Sequence, residues 1–342
     1  MIEYLFITMV ACILLSLIIF RRVKRQSSEL SFPFRRIADR SGVREDVVAL
    51  GAPFRSDTHR DTFLELKNRG VKVIGFTHYQ NFPGEIDNPF EDKYWTKNKF
   101  DYVSNCDGWC YCHRDPDAIG LPTDKRIEVV ESDFADMLSL CAHTSCDGVE
   151  KDIDFVYSLP SELVDGQKDS NRCSLEWQAH CRNWQLARAC LPILCDRLGM
   201  NGAIVGRDCM EDMRELGVDT KITLHKRLAY HKFLSLLKRA RFLFVPNISD
   251  ASPRVITEAL ALNTPVVVNK EIIGGWKYVN DKTGALFTST EDLEAAVNHA
   301  LTVETAQDEF LATWGRQKSS EKFASFLREI GIETDETVML KF

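Results

Sequence analysis

The chain has 342 residues, of which 44% are hydrophobic, and a formal net charge of −7. This length predicts two domains of ordinary size, each able to bury a core of its own. The acidic balance excludes a nucleic-acid binder with a basic face, so no nucleic-acid partner is expected.

The chain begins with an apolar segment followed by a basic cluster. Residues 5–20 carry no charge, and Arg21, Arg22, Lys24 and Arg25 come next. Such a segment reaches about 24 Å as a helix, which is a minimal membrane span. A cleaved signal peptide would have its basic residues before the apolar run and small residues at its end. We therefore expect an uncleaved single-pass anchor. Lys and Arg beside a span favour the cytoplasmic side, so the globular part is expected in the cytosol, with the ER or Golgi lumen as the alternative.

Composition and periodicity divide the chain into five segments. Residues 1–25 are the anchor with its basic flank, and the polar residues 26–42 are interpreted as a stalk. Residues 43–150 begin with a strand, a helix at about 58–68 and a second strand at 71–76. From residue 151 to about 305, strands and helices alternate, which is typical of a doubly wound parallel sheet. Residues 306–342 hold a last amphipathic helix, predicted from about 307 to 330.

The chemistry is concentrated between residues 241 and 287, where the pattern is strand, loop, helix, strand and Gly-rich loop. Ser252 and Pro253 predict the N-cap and first turn of the helix, which ends near Asn263. Asp250 precedes this helix and Glu258 lies in its first turns. Both carboxylates are thus expected at the crevice where open α/β sheets bind ligands. Ser252, Arg254 and the free N–H groups of the helix start offer contacts to anions.

This stretch resembles the donor-binding segment of GT-B fold glycosyltransferases of the family-4, or group 1, type. The motifs are Asp250-x7-Glu258, Ala259-Leu-Ala, Asn263-Thr-Pro-Val-Val and Gly274-Gly275. The resemblance implies an α/β fold with two Rossmann-like domains facing a cleft and a last helix that returns to the first domain. It also implies that Glu258 binds the ribose of a nucleotide-sugar and that Asp250 contacts the transferred sugar. The chain departs from the family pattern at two places, because Asp250 replaces a Glu and Ala251-Ser252-Pro253 replaces a Gly-aromatic-Gly loop.

Further site residues follow from the same resemblance. Arg207 and Arg182 are expected to hold the donor diphosphate and to neutralise it as it leaves, since guanidinium groups bind phosphate bidentately. Arg182 stands where the family has a Lys, and Arg172 is the alternative. The donor-binding set is completed by residues at loops and helix starts: Glu258, Ser252, Arg254, Gly206, Gly274 and Gly275. Gly51 and His78, which follow the first two strands, are assigned to the acceptor side, although a lone His after a strand is also common as a structural residue.

Metal binding is not expected. Cys106, Cys110, Cys112 and His113 lie close in sequence, but their spacing fits no structural zinc pattern. The resemblance likewise implies no metal and no resident cofactor. The expected activity is sugar transfer, with retention, from a nucleotide-sugar such as a UDP- or GDP-sugar to a glycan, lipid-linked or protein acceptor. A nucleotide-sugar 2-epimerase and a catalytically degenerate binding subunit are the alternatives.

Overall fold

The computed structural model describes residues 30–77, 82–84, 100–134, 149–159, 180–206, 210–226 and 228–341. Within these ranges, no helix combines the length and the apolar character needed to cross a membrane. The predicted span at residues 5–20 lies outside the described residues, so the anchor stays a prediction.

The first lobe is built on a six-stranded sheet. Its strands are β1 (Phe34–Asp39), β2 (Gly42–Leu50), β3 (Lys72–Phe76), β4 (Gly108–Cys110), β5 (Arg126–Ile127) and β12 (Met339–Lys341), in the order β12-β1-β2-β3-β4-β5. Strands β2 to β5 are parallel, whereas β1 is antiparallel to both of its neighbours. The carboxyl ends of four strands therefore meet at one edge, where the loops of this lobe face the second lobe.

The second lobe is a fully parallel sheet. Its strands are β6 (Ile153–Ser158), β7 (Gly202–Val205), β8 (Ile222–His225), β9 (Ala240–Val245), β10 (Val266–Asn269) and β11 (Gly284–Phe287), in the order β11-β10-β9-β6-β7-β8. Strands such as Val266–Asn269 are buried along their whole length, as expected when both faces of a sheet are covered. The chain adds β7 and β8 on one side of β6 and then β9, β10 and β11 on the other side, so the strand order reverses between β6 and β9. This is the Rossmann arrangement, with its switch point between these two strands.

Nine helices connect or cover these strands in the described residues. They are α1 (Asp57–Asn68), α2 (Tyr102–Asn105), α3 (Trp184–Pro192), α4 (Met210–Glu215), α5 (Tyr230–Arg239), α6 (Arg254–Ala261), α7 (Leu293–Ala300), α8 (Ala306–Thr313) and α9 (Arg316–Glu329). A short 3-10 turn at Glu131–Phe134 follows β5, and another at Trp276–Tyr278 follows β10. Both turns lie where the two lobes meet.

The C-terminal segment differs from the sequence prediction in one respect. The single predicted helix is two helices, because the backbone turns at Trp314 and Gly315, where Gly315 adopts a positive φ of 98°. Helix α8 packs in the core of the second lobe through Phe310, whereas α9 packs on the first sheet, where the rings of Phe323 and Phe76 are 5.7 Å apart. The chain therefore crosses back to the first lobe at Gly315.

Part of the predicted stalk belongs to the first sheet. Residues 34–39 form β1, and Phe34, Ile37 and Ala38 are buried although two arginines separate them. The basic composition of 26–42 suggested a solvated segment. Polar and apolar residues in β1 instead follow the two faces of a strand, and the apolar ones complete the core. The stalk interpretation is wrong for residues 34–42.

Candidate functional site

The candidate site lies at the switch point of the second sheet. The order of the strands reverses between β6 and β9, and open α/β sheets bind ligands at the carboxyl ends of the strands at such a point. The loop after β9, residues 246–253, carries Asp250 and leads into α6. Among the described residues, polar groups at this point come from that loop, from the turn before α3 and from helices α5 and α6.

An ion pair joins Asp250 to Arg182 at this point. The Arg182 guanidinium donates to Oδ2 of Asp250, and Nδ2 of Asn247 donates to the same oxygen at 3.3 Å. The side chains keep 15% (Asp250) and 28% (Arg182) of their surface exposed. The structure thus brings together two residues that the sequence analysis assigned to one site, and both remain within reach of a ligand.

The position of Arg182 is fixed by its own backbone. The Tyr157 hydroxyl, from β6, donates to the Arg182 carbonyl at 2.9 Å, and the Tyr157 ring stacks on Trp184 with a centroid separation of 6.2 Å. Asn183, at a positive φ of 50°, caps α3 by accepting from Leu186 N–H. The turn before α3 is therefore held on the sheet, which places the guanidinium at the switch point.

Glu258 is buried on the first turns of α6 and is held by a tyrosine. The Tyr230 hydroxyl, at the start of α5, donates to Oε1 of Glu258 at 2.9 Å. Burial raises the pKa of Glu258, while the Tyr230 hydrogen bond and the positive charge of Arg254 oppose that shift. Burial and the adjacent Glu258 carboxylate also raise the pKa of Tyr230, so its proton stays on the phenol. Tyr230 as a residue is 54% exposed, and its ring adjoins the carboxylate.

Ser252 does not cap the helix. Helix α6 begins at Arg254, with Pro253 in the N-cap position and no side-chain cap. The buried Ser252 hydroxyl instead accepts from the Ser132 N–H at 2.9 Å and lies 3.0 Å from the Ser132 hydroxyl, in the first lobe. The N-cap prediction is wrong because the Ser252 hydroxyl bonds to Ser132 of the first lobe instead of to the helix. In this structure the same contact also occupies the hydroxyl, so it does not bind an anion. Arg254 is exposed at the start of α6, where a ligand can reach it.

Gly274 and Gly275 allow two loops to touch. A Cβ at Gly274 would lie 1.9 Å from the Ala251 carbonyl oxygen, and one at Gly275 would lie 2.5 Å from the Pro253 ring. Gly274 N–H also donates to the Asp250 carbonyl at 2.9 Å. The structure therefore gives these glycines a packing role that fixes the Asp250 loop. Gly206, with a φ of 95°, ends β7.

Gly51, which the sequence analysis assigns to the acceptor side, lies on the first lobe. Gly51 follows β2, and its N–H donates to the Pro33 carbonyl at 2.9 Å. Beside it, the buried Glu131 accepts from Nε of Arg35 at 2.9 Å. His113 follows β4, and burial lowers its pKa to about 4, so the ring is neutral at pH 7. Its buried Nε2 has no hydrogen-bond partner among the described residues.

His78 and Arg207 lie outside the described residues, so their assignments stay predictions. Cys106, Cys110 and Cys112 are buried in three different apolar clusters. In the part of the chain that the structure describes, no three His, Cys, Asp or Glu side chains are grouped as metal ligands.

Sequence reasoning missed Tyr230 and Asn247. Tyr230 precedes Glu258 by 28 residues on a different helix, so no local pattern connects the two. Asn247 is the asparagine of the chain's Asn-Ile-Ser sequon, and the structure buries its amide against Asp250. The sequence signal that could have identified Asn247 is its position between the end of β9 and Asp250.

The comparisons with known proteins agree with this geometry. The family model "Glycosyl transferases group 1" matches residues 195–318, a range that contains β7 to β11, Asp250 and Glu258. The matched range is about a third of the chain, and it is similar to the group 1 glycosyltransferases. The suspected resemblance is confirmed. No curated protein matches the sequence of the whole chain.

Solved structures show a similarity in fold that covers both lobes. The pneumococcal O-GlcNAc transferase GtfA, solved in complex with UDP and GlcNAc, shares 10% identity with a TM-score of 0.53 and aligns with 80% of this chain. This chain covers 55% of GtfA, or about half its length. The lipopolysaccharide outer core galactosyltransferase WaaB shares 12% identity with a TM-score of 0.56, over 83% of this chain and 75% of WaaB. AviGT4, a glycosyltransferase involved in Avilamycin A biosynthesis, shares 15% identity with a TM-score of 0.51, over 76% of this chain and 68% of AviGT4. At these identities, the similarity establishes the GT-B fold.

Proposed function

We propose that this protein is a glycosyltransferase that moves a sugar from a nucleotide-sugar donor to a hydroxyl group of an acceptor. The observation that carries the proposal is the Arg182–Asp250 pair in the loop after β9, which leads into the helix that carries the buried Glu258. Guanidinium groups suit phosphates, and carboxylates suit sugar hydroxyls. A nucleoside diphosphate sugar has both kinds of group on one molecule.

The donor is oriented by residues of the second lobe. Glu258 accepts hydrogen bonds from the ribose hydroxyls, and the exposed face of Tyr230 borders the nucleoside. Asp250 contacts the transferred sugar. Arg182 has five N–H donors, so it can hold Asp250 and a phosphate oxygen at the same time. Arg207 and the free N–H groups at the start of α6 complete the diphosphate site.

The chemical step follows from the charges at this site. The bond between the anomeric carbon and the diphosphate oxygen breaks, and the departing negative charge is met by the guanidinium groups and helix N–H groups. Electrostatic stabilisation of the leaving group is therefore the main catalytic contribution. The acceptor hydroxyl attacks from the same face, which gives retention, and its proton passes to the departing phosphate oxygen. The proposal includes no resident cofactor and no metal.

The acceptor binds at the first lobe. The loops after β2 and β4 face the second lobe and present Gly51 and the neutral ring of His113. A glycan or lipid-linked acceptor is favoured because the predicted anchor at residues 5–20 would hold the enzyme at a membrane surface. The cationic flank of that segment supports a cytosolic catalytic part. The structural relatives WaaB and GtfA, named for transfer of galactose and of GlcNAc, are consistent with a hexose donor.

A donor screen tests the proposal. The full chain is incubated with a panel of UDP- and GDP-sugars, and the free nucleotide and the sugar products are quantified. Slow release of UDP or GDP with free sugar supports a transferase acting on water in the absence of its acceptor. Conversion to an isomeric nucleotide-sugar would identify a 2-epimerase instead. Binding without any turnover, also after addition of acceptor glycans, would identify a binding subunit.

A further inference from the structure

A buried ionic cluster joins the two lobes directly after the Gly274-Gly275 motif. Nζ of Lys277, after β10, donates to Oδ2 of Asp133 at 2.6 Å, and the Val130 N–H donates to the same oxygen at 2.8 Å. The Tyr278 hydroxyl donates to the other oxygen, Oδ1. The exposed fractions of the Lys277 and Asp133 side chains are only 2% and 0%. Every charged group of this cluster thus has a partner from the other lobe.

Such a pair resists separation. A charge in an apolar interface is tolerated only while its partner stays in place, because an unpaired buried charge loses both water and counter-charge. The Lys277 ammonium also lies 4.5 Å from the centroid of the Trp314 ring, which supplies a further favourable contact. A movement that parts the lobes at Lys277 is therefore strongly disfavoured, whereas a rotation about this point keeps the pair intact.

The cluster lies where the chain passes between lobes. Asp133 is in the last described turn of the first lobe before the chain reaches β6 in the second. Trp314 lies at the break between α8 and α9, where the chain returns to the first lobe. Asp133 and Trp314 thus lie next to the two places where the described chain leaves and re-enters the first lobe.

Hydrogen bonds connect the cluster to the Asp250 loop. The Tyr278 and Ser132 hydroxyls are 2.9 Å apart, and the Ser132 N–H donates to the Ser252 hydroxyl. Ser252 is two residues from Asp250, and Gly274 N–H holds the Asp250 carbonyl from the other side. A change in the cluster would thus move the loop that carries Asp250 relative to the first lobe.

We propose that Lys277 and Asp133 are positioning residues that form the pivot between the lobes and set Asp250 at the correct distance from the acceptor loops. The expected effect on kcat rests on the proposed function, whereas the coupling of the two lobes through this pair does not. It assigns to the loop after β10 a role in catalysis that involves no contact with substrate.

The kinetic test uses Lys277→Met, which keeps the length of the side chain and removes its charge. Nucleotide-sugar binding, measured by calorimetry, should stay within about twofold, because the donor site lies in the second lobe. The kcat for sugar transfer or donor hydrolysis should fall at least about tenfold, because the reacting groups no longer align. Tyr278→Phe removes only a hydroxyl and should give the same pattern with a smaller loss. The control is Lys282→Met, which removes a 70% exposed amine paired with Glu309. An unchanged kcat in Lys277→Met would overturn the proposal, as would equal losses of kcat and affinity.

Scanning calorimetry tests the pivot without any substrate. The wild-type protein should unfold in one transition, and Lys277→Met should show two separated transitions because the lobes are uncoupled. A single, unsplit transition in both Lys277→Met and Tyr278→Phe would refute the pivot, whatever the activity. A wild-type protein that binds no nucleotide-sugar would refute the proposed function, and the calorimetric result would still decide the pivot.

Discussion

Gly274→Ala should inactivate the protein by displacing the loop that carries Asp250. The added Cβ would lie 1.9 Å from the Ala251 carbonyl oxygen. A tolerable C···O separation is about 3.3 Å, so the loop must move by more than about 1 Å. The backbone of Gly274 is not in the left-handed region, so the effect is steric. The hydrogen bond from Gly274 to the Asp250 carbonyl, 2.9 Å long, is strained or lost by the same movement.

The magnitude follows from these contacts. Overpacking against backbone costs about 1–3 kcal/mol, and the strained hydrogen bond adds about 1 kcal/mol. A misplacement of about 1 Å at a reacting group lowers the rate about a hundredfold. Sugar release from the donor is therefore expected to fall about a hundredfold in Gly274→Ala, whereas the Tm falls by only a few degrees.

The control for this experiment is Gly217→Ala. Gly217 has a φ of 72° and open space around it, so a Cβ there costs about 1–2 kcal/mol of backbone strain without any clash. It precedes β8 at the amino edge of the second sheet, opposite the site. Its Tm should fall similarly while donor turnover is kept. Equal activities of the two variants would refute the account of the Asp250 loop.

Three further predictions concern the donor site. Arg182→Ala should lower kcat about a hundredfold or more, because the leaving group loses its stabilisation. It should hardly change the Tm, because the Arg182–Asp250 pair is partly exposed. A kcat within twofold of wild type would contradict the role of Arg182. Tyr230→Phe removes a hydrogen bond that favours the Glu258 carboxylate, so the pKa of Glu258 should rise further. As the pH falls, UDP affinity should therefore be lost at a higher pH than in the wild-type protein. Identical pH profiles of affinity in calorimetry would contradict this. Glu258→Gln should raise the Tm, because a buried carboxylate with a raised pKa destabilises the fold as pH rises above its ordinary value of 4.5. This gain should be absent near pH 4 and present at pH 7, and a Tm lowered at both pH values would contradict it.

The central β9–α6–β10 unit was largely predictable because its signals are local. Apolar runs fix β9 and β10, and the spacing of Asp250 and Glu258 places both near the start of α6. The doubly wound, parallel character of the second sheet follows from the alternation of strands and helices. These patterns depend on neighbouring residues, so one sequence contains enough information to read them.

The remaining features depend on contacts between distant residues. Ser252 has the local pattern of an N-cap, but its hydroxyl binds Ser132, which is 120 residues away. Strand β1 was interpreted as a stalk because its partners, β2 and β12, include the last strand of the chain. The Lys277–Asp133 pair spans 144 residues and has no sequence signature. Tertiary packing decided each of these cases against the local pattern.

The break between α8 and α9 was missed for a different reason. The apolar residues on both sides of Trp314 suit one helix, and Gly315 is tolerated within helices at a cost of about 1 kcal/mol. In the structure Gly315 instead has a positive φ of 98°, and the chain turns at this residue. The turn is needed because α8 and α9 pack in different lobes, which the helical pattern alone does not show.

Calorimetric titration of the full chain with UDP and GDP tests the central claim most directly. The account predicts saturable binding of one of them to the wild-type protein, no detectable binding to Glu258→Ala, and wild-type affinity in the surface control Glu294→Ala. Equal affinity of Glu258→Ala and the wild-type protein would show that the nucleotide does not bind at the switch point of the second sheet.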